Sequence, residues 1–186
     1  MIAHVISRRP HLISGAVDTA RSFADMVVAG LHNIDDPGLV AEVVTGTNYV
    51  DLTNAVLKAS AAHAPATLRV DDDDYYPSDH AEIYDVWKPG HTVWGVVTIK
   101  GCDGTILKRD HPDMCAGVIP TNLVVTADRL GRVADSIRIQ TEPIFVPTGV
   151  IKQVCLSDAT WVHAPYWSRR IDCSHTQRSA FTESGA

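Results

Sequence analysis

Apolar side chains in the N-terminal third of the chain recur at intervals of three and four residues. The positions that set this pattern are Ala16, Ala20, Phe23, Val27 and Leu31. Residues at these intervals lie on one face of an α-helix. We therefore predict a helix that runs roughly from Ser14 to His32, with its apolar face packed against the rest of the fold.

Two shorter helices are predicted to follow. Asp36 and Pro37 have the character of a helix cap and a first helical residue, and this helix would end at Gly46. Asn48 is placed to cap a third helix, with Asp51 in the first turn, where an acid interacts favourably with the helix dipole. Its buried positions would be Leu52, Val56, Ala59 and His63.

Beyond Pro65 the pattern changes to short runs that alternate apolar and polar residues, as β-strands do. The runs at 96–100 and 105–108 flank an Asp-Gly turn, which predicts a tight hairpin. A second hairpin with a longer turn is predicted from 123–126 and 133–139. Further strands are predicted at residues 82–87, 145–146, 150–156 and 160–163.

The order of these elements predicts the fold class. Helices first and strands later are typical of the α+β class. We expect an N-terminal helical segment of two or three helices, packed on an antiparallel β-sandwich or barrel-like domain of about eight short strands. The boundaries are then a helical segment at 1–65, a β-rich domain at 66–173 and a polar C-terminal tail at 174–186.

Composition limits the partners of the chain. Its 186 residues carry a net charge of -6 with a pI near 5.8, and this disfavours nonspecific binding to nucleic acid, which needs a basic face. No apolar run approaches the roughly 20 residues of a membrane helix, and the N-terminus lacks the regions of a secretory signal. We expect a soluble protein of the cytoplasm or of a virion, without membrane partners and with reduced cysteines.

Asp71 to Asp74 form a run of four consecutive acids. Calcium-binding loops usually alternate their oxygen ligands and contain a glycine that makes the bend. This run has neither feature. We therefore predict a solvated loop in which the negative charges repel one another.

His80 and Glu82, with two later cysteines, partly resemble the zinc site of nucleobase deaminases. In that family a His-x-Glu pair supplies a zinc ligand and a proton shuttle, and cysteines that follow a proline complete the coordination. Here Pro112 lies three residues before Cys115. The resemblance implies a zinc ion bound by His80, Cys102 and Cys115, with Glu82 as the catalytic residue. A zinc-dependent hydrolase of this type is our alternative function.

A second set of zinc-type ligands lies nearer the C-terminus. Its members are Cys155, His163, Cys173 and His175. Structural zinc sites use paired ligands two to four residues apart, and only the last two of these residues meet that spacing. We interpret these cysteines as free buried thiols.

Trp161, Tyr166 and Trp167 form a dense aromatic patch near the C-terminus. Large amphipathic rings anchor protein interfaces, so we predict that this patch binds a partner or a ligand. The sequence contains no Gly-x-Ser-x-Gly elbow and no glycine-rich phosphate loop. We therefore favour a noncatalytic, self-associating structural subunit without a cofactor, of the kind found in virus or phage particles and their tails. Its partners would be copies of itself or other assembly proteins.

Overall fold

The computed structural model describes residues 1–7, 9–32, 38–39, 41–46, 48–101, 104–126, 133–156 and 170–171. Its first half contains β1 (Ile2–Ser7), α1 (Pro10–Arg21), β2 (Met26–His32), β3 (Glu42–Gly46), α2 (Tyr49–Ala61) and β4 (Ala66–Val70). Its second half contains a 3₁₀ helix (His80–Val86), β5 (His91–Gly101), β6 (Ile106–Pro120), α3 (Val133–Arg138), β7 (Glu142–Leu156) and β8 (Arg170–Ile171). Within these residues, no helix has the length and apolar character needed to cross a membrane.

The strands form one mixed sheet in the order β3-β2-β1-β4-β6-β5-β7-β8. In the first half the pairs β1–β2, β2–β3 and β1–β4 are all parallel. The chain moves outward from β1 to β2 and β3, and then returns to place β4 on the opposite side of β1. The direction of winding therefore reverses between β1 and β4, which is a topological switch point.

The second half of the sheet is joined to β4 through an antiparallel strand. Strand β6 pairs antiparallel with β4 and with β5, and β5 pairs parallel with β7. The long β5–β6 hairpin turns at Gly104, whose φ of +82° belongs to the left-handed region that favours glycine. The hairpin predicted at this position is confirmed.

Helices α1 and α2 cover opposite faces of the first half of the sheet. Ala3 and Val5 of β1 pack in the core cluster that includes the apolar residues of α1. Ile2 and Ile6 of the same strand pack with Leu52 of α2 in a separate cluster. Because successive strand residues point to opposite faces, β1 is buried on both sides.

The first predicted helix is only partly correct. Helix α1 ends at Arg21, and Val27 and Leu31 belong to strand β2. A spacing of four residues fits a strand as well as a helix, because four is also a multiple of the strand period of two. The buried run Val27–Leu31 therefore continued the helical pattern without being helical.

Some of the later predicted helices and strands are confirmed and others are wrong. The third helix is confirmed, since Asn48 caps α2 by accepting a hydrogen bond from the Asp51 backbone N–H at 2.9 Å. The helix predicted up to Gly46 is wrong because β-branched residues of β3 form a strand there, and Asp36 and Pro37 lie outside the described residues. The strand predicted at 82–87 is wrong because this segment is a 3₁₀ helix. The second predicted hairpin is wrong because its 133–139 run contains helix α3.

The predicted fold class, a helical segment on an antiparallel sandwich or barrel-like domain, is wrong. The structure has a single mixed sheet, and its first helix follows a strand. Strand β1 was missed because all of its residues are buried, and such a strand of a parallel sheet does not alternate apolar and polar residues. Strand β4 was missed although its sequence does alternate, with Thr67 and Arg69 at the polar positions. The boundaries proposed at 65 and 173 stay predictions.

Candidate functional site

The acidic run Asp71–Asp74 begins directly after β4, at the switch point between β1 and β4. Parallel strands place their carboxyl ends at the same edge, and the register Val5↔Val70 puts the end of β1 level with this run. Ser7, the last residue of β1, donates a hydrogen bond from its hydroxyl to the Asp72 carboxylate. The two chain segments that follow β1 and β4 therefore meet at this edge of the sheet.

The acids of this run are buried. Asp71, Asp72 and Asp74 are 9%, 4% and 6% exposed, so the prediction of a solvated, self-repelling loop is wrong. Buried carboxylates need cationic or hydrogen-bonding partners. The sequence order hid two of those partners because they come from distant segments, the loop before α1 and strand β7. The third, Arg69 of β4, lies two residues before Asp71.

Arg9 binds the outer part of the run. Its Nε lies 3.0 Å from Asp72 Oδ2 and its Nη1 lies 2.8 Å from Asp73 Oδ2, and its Nη2 is also paired with Asp72. Burial disfavours the charge of Arg9, but the hydrogen bonds to Asp72 and Asp73 outweigh this and raise its pKa. Burial raises the pKa of Asp72, and Arg9 opposes that shift.

Arg69, the penultimate residue of β4, binds the inner part of the run. Its Nε and Nη2 lie 3.3 and 3.1 Å from Asp71 Oδ1, and Nη2 also donates to the Tyr49 hydroxyl. The third guanidinium nitrogen, Nη1, is buried and has no hydrogen-bond partner among the described residues. Arg69 is 3% exposed, so this unpaired N–H donor can donate to an oxygen of a bound ligand or of water.

His4 lies opposite Arg69 in the register of β1 and β4. Its Nδ1 lies 3.1 Å from the Thr67 hydroxyl oxygen, whereas its Nε2 is buried without a hydrogen-bond partner in the described part of the chain. Burial, and then the charge of Arg69, lower the pKa of His4 to about 3. The imidazole is therefore neutral at physiological pH.

Lys152 of β7 is buried among three carboxylates. Its Nζ lies 2.6 Å from Asp74 Oδ2, 3.0 Å from Asp71 Oδ2 and 3.5 Å from Asp113 Oδ2. The lysine is 1% exposed. Burial alone lowers the pKa of this amine, but Asp113, Asp71 and Asp74 together raise it well above its usual value. Lys152 therefore keeps its positive charge and ties the acidic run to β6 and β7.

Tyr76 holds the backbone of the acidic run in place through its hydroxyl group. Its hydroxyl oxygen accepts a hydrogen bond from the Asp71 N–H at 2.7 Å and donates one to the Cys115 carbonyl oxygen at 3.2 Å. Burial raises the pKa values of both Tyr76 and the Cys115 thiol well above their usual ranges. Both groups are neutral at pH 7 and serve here as packing and hydrogen-bonding groups.

Asp71, Asp73 and Asp74 are the group of side chains among the described residues that can hold a metal ion. One ligand oxygen from each lies within 4.8 Å of the others. Two oxygens on opposite sides of Mg²⁺ are about 4.2 Å apart, twice the Mg–O distance of about 2.1 Å. The spacing and the all-oxygen donor set therefore fit a hard divalent cation, with small movements of the side chains.

The residues of the predicted zinc site lie in different surroundings. The His80 ring packs at a tilt against Tyr76, with 4.8 Å between the ring centroids, and Cys115 lies on β6 with its thiol near Arg69 and Asp113. Neither residue belongs to a three-ligand group within the described residues. Glu82 is exposed on the 3₁₀ helix, and Cys102 lies outside the described residues. The zinc-hydrolase hypothesis stays a prediction.

The remaining predicted site residues lie beyond the described part of the chain. These are the aromatic residues Trp161, Tyr166 and Trp167, and the ligand candidates His163, Cys173 and His175. Cys155 is described as part of strand β7 by its backbone only. The signal for the site at the carboxyl edge was present in the sequence: a run that alternates apolar and polar residues, Ala66–Val70, ends at four acids.

No protein-family model matches the sequence, and no curated protein matches it. A solved structure described as the crystal structure of Rv0371c from Mycobacterium tuberculosis H37Rv is similar over 99% of this chain and 98% of that chain. The identity is 12% and the TM-score is 0.49.

Proposed function

We propose that this chain binds a divalent cation together with the diphosphate of a nucleotide, and that it is a transferase acting on a nucleotide-activated donor. The observation that carries the proposal is the group of Asp71, Asp73 and Asp74 at the switch point between β1 and β4. In open α/β sheets, ligands bind in the crevice outside the carboxyl ends of the strands, at the switch point.

The donor set favours Mg²⁺ or Mn²⁺ as the cation. Carboxylate oxygens are hard ligands, and Mg²⁺ in proteins is commonly held by one or two carboxylates together with phosphate oxygens of the substrate. Asp71 Oδ1 and Oδ2 already accept from Arg69 and Lys152, but each carboxylate oxygen has more than one lone pair. A cation bound here would neutralise the charge that develops on a departing diphosphate.

The N-terminus of α1 supports the proposal that an anion, a phosphate group of the nucleotide, binds beside that cation. Helix α1 follows β1 after two residues, has no acidic residue in its first turn and has no side-chain cap at Arg9. The N–H groups of a first helical turn attract phosphate. The loop from Ser7 to Arg9 lacks the glycines that would let its backbone wrap a phosphate, so the cation and Arg69 are the expected carriers of the diphosphate charge.

Calorimetric titration tests the binding half of the proposal. The purified protein is titrated with MnCl₂, and then with the diphosphates of uridine, guanosine, adenosine and cytidine, each with and without Mn²⁺. We expect one Mn²⁺ per chain and one nucleotide whose binding requires Mn²⁺. Asp73→Asn should weaken Mn²⁺ binding at least tenfold, whereas Asp85→Asn, an exposed acid on the 3₁₀ helix, should not. A folded wild-type chain that binds neither Mn²⁺ nor any of the four nucleotides contradicts the proposal.

Product analysis tests the reaction class. The nucleotide that binds is offered in two activated forms, as a nucleotide sugar and as a triphosphate, with Mn²⁺ present. Slow release of the nucleoside diphosphate from the sugar form identifies a glycosyl transferase. Release of pyrophosphate from the triphosphate identifies a nucleotidyl transferase. If neither donor is consumed in the presence of a broad acceptor mixture, the transferase part is wrong.

Self-association remains a separate prediction, and the aromatic patch that was predicted to bind a partner lies outside the described residues. A native mass spectrum of the purified protein reads the number of subunits and any bound metal from one measurement, as the excess over multiples of 20.2 kDa. A closed oligomer supports the assembly hypothesis. A monomer at micromolar concentration counts against it.

A further inference from the structure

We infer that Lys152 is a built-in cation of the acidic cluster, and that it limits the site to a single divalent ion. Its ammonium group occupies the position between Asp71, Asp74 and Asp113 that a second metal ion would need. The inference rests on the proposed function and adds the number of metal ions and the residue that sets it.

The contacts of Lys152 are those of an ion in a coordination site. Three carboxylate oxygens lie at 2.6, 3.0 and 3.5 Å from Nζ, and an ammonium group has three N–H donors. The side chain reaches this position from β7, which is separated from β4 by strands β6 and β5 in the sheet. Each of its donors can therefore be directed to a carboxylate, although the acids come from the β4 loop and from β6.

The acidic cluster also contains a carboxylate that Lys152 does not contact, that of Asp73. Asp73 joins Asp71 and Asp74 in the metal-compatible group, and it is Arg9, not Lys152, that approaches its Oδ2 at 2.8 Å. Asp113 contacts the ammonium but does not belong to that group. In this inference the acids offer two adjoining cation positions, one filled by Nζ and one that would include Asp73.

Two-metal sites place their ions about 3.5–4 Å apart and share carboxylates between them. Asp71 and Asp74 are the shared carboxylates here, because each contributes both to the metal-compatible group and to Lys152. A second divalent ion would need the oxygens that Lys152 already binds. As long as the ammonium is present, one position stays filled by a permanent single charge.

Counting bound Mn²⁺ in variants tests this inference. Free Mn²⁺ is measured by electron paramagnetic resonance during a titration of wild type, Lys152→Ala and Lys58→Ala, and bound metal is counted by native mass spectrometry. Lys58 is an exposed residue of α2 and serves as the matched control. We expect one Mn²⁺ in wild type and Lys58→Ala, and two in Lys152→Ala. The double variant Lys152→Ala/Asp113→Asn, which removes a ligand of the second ion, should return to one.

The outcomes separate this inference from the proposed function. One Mn²⁺ in both wild type and a folded Lys152→Ala overturns the inference and leaves the proposed function intact. No Mn²⁺ in folded wild type overturns both. If Lys152→Ala is unfolded without metal, recovery of its native circular dichroism in millimolar Mn²⁺ supports the inference, because a metal ion then replaces the ammonium. Failure to recover at any Mn²⁺ concentration, when Lys152→Ala/Asp113→Asn is folded, overturns it.

Discussion

The imidazole of His80 packs against the ring of Tyr76, with 4.8 Å between the ring centroids and 57° between the ring planes. Phe23 covers the imidazole from another side at 5.8 Å, and neither imidazole nitrogen has a hydrogen-bond partner among the described residues. Burial lowers the pKa of His80 to about 4, and the charge of Asp79 opposes the shift. Since Tyr76 also binds the Asp71 N–H, this aromatic cluster connects a neutral histidine to the backbone of the candidate site.

We predict that His80→Leu makes the protein more resistant to acid. The unfolded chain binds a proton at the ordinary histidine pKa of 6.5, whereas folded His80 binds one only at about 4. The stability that depends on neutral His80 is complete above pH 6.5 and is lost as the pH falls towards 4. This difference corresponds to about 3 kcal/mol. Urea unfolding at pH 7 and pH 4 should show that wild type loses about 3 kcal/mol more than His80→Leu.

The control for this prediction is His11→Leu, a change at an exposed residue of α1. His11→Leu should lose as much stability between pH 7 and pH 4 as wild type does. An equal loss of stability in wild type and His80→Leu between pH 7 and pH 4 would contradict the prediction. His4, whose pKa is also lowered by burial, is present in all three proteins and therefore does not affect the comparison.

The sequence predicted those parts of the structure that depend on local chemistry. Asn48 caps α2 through an amide only three residues away, and the β5–β6 turn requires a glycine at 104. Both effects act between residues that are close in the sequence, so the residue types alone were sufficient to predict the cap and the turn. Strand β1 was missed for the opposite reason, since burial on both faces removes the alternation that marks a strand.

The candidate site could be predicted only in part. The acids Asp71–Asp74 were visible, and they were interpreted as a solvated loop because the run lacks the alternating ligands and the glycine of a calcium-binding loop. Of their cationic partners, only Arg69 is near in the sequence. Arg9 precedes Asp72 by 63 residues and Lys152 follows Asp74 by 78 residues. The order of the strands in the sheet, β4-β6-β5-β7, brings these charges together. That order cannot be predicted from the local pattern of a single sequence.

We predict that Lys152→Met destabilises the metal-free protein by about 3–5 kcal/mol at pH 7, because removal of one partner leaves buried charges uncompensated. The pKa of folded Lys152 is raised above its usual 10.5. Its stabilising effect is therefore complete below pH 10.5 and is lost as the pH rises through the raised value. Denaturant titrations at pH 7 and pH 11 should give a smaller difference between the two proteins at pH 11. An unchanged or larger difference would be inconsistent with a charge-based role.

Loss of the α2 cap should have a small, local effect. Asn48→Ala removes the acceptor of the Asp51 N–H, and such changes reduce stability by about 1 kcal/mol. Asn48→Ser keeps a capping oxygen and should lie within a few tenths of a kcal/mol of wild type. Urea unfolding curves with equal slopes check both values. If Ala and Ser are equally destabilising, the amide contributes through something other than the cap.

The final prediction concerns two glycines of the β5–β6 hairpin. A Cβ at Gly117 would overlap the backbone carbonyl oxygen of Val93, so Gly117→Ala must separate strands that hold Asp113 beside Lys152. Overpacking of this kind destabilises by about 3 kcal/mol. At Gly104 a Cβ meets no atom within 4 Å, and Gly104→Ala should lower stability only by the backbone strain of a positive φ, about 1–2 kcal/mol. Thermal unfolding of the two variants ranks them. A Gly117→Ala protein as stable as Gly104→Ala would mean that β5 and β6 do not approach each other as closely as this register requires.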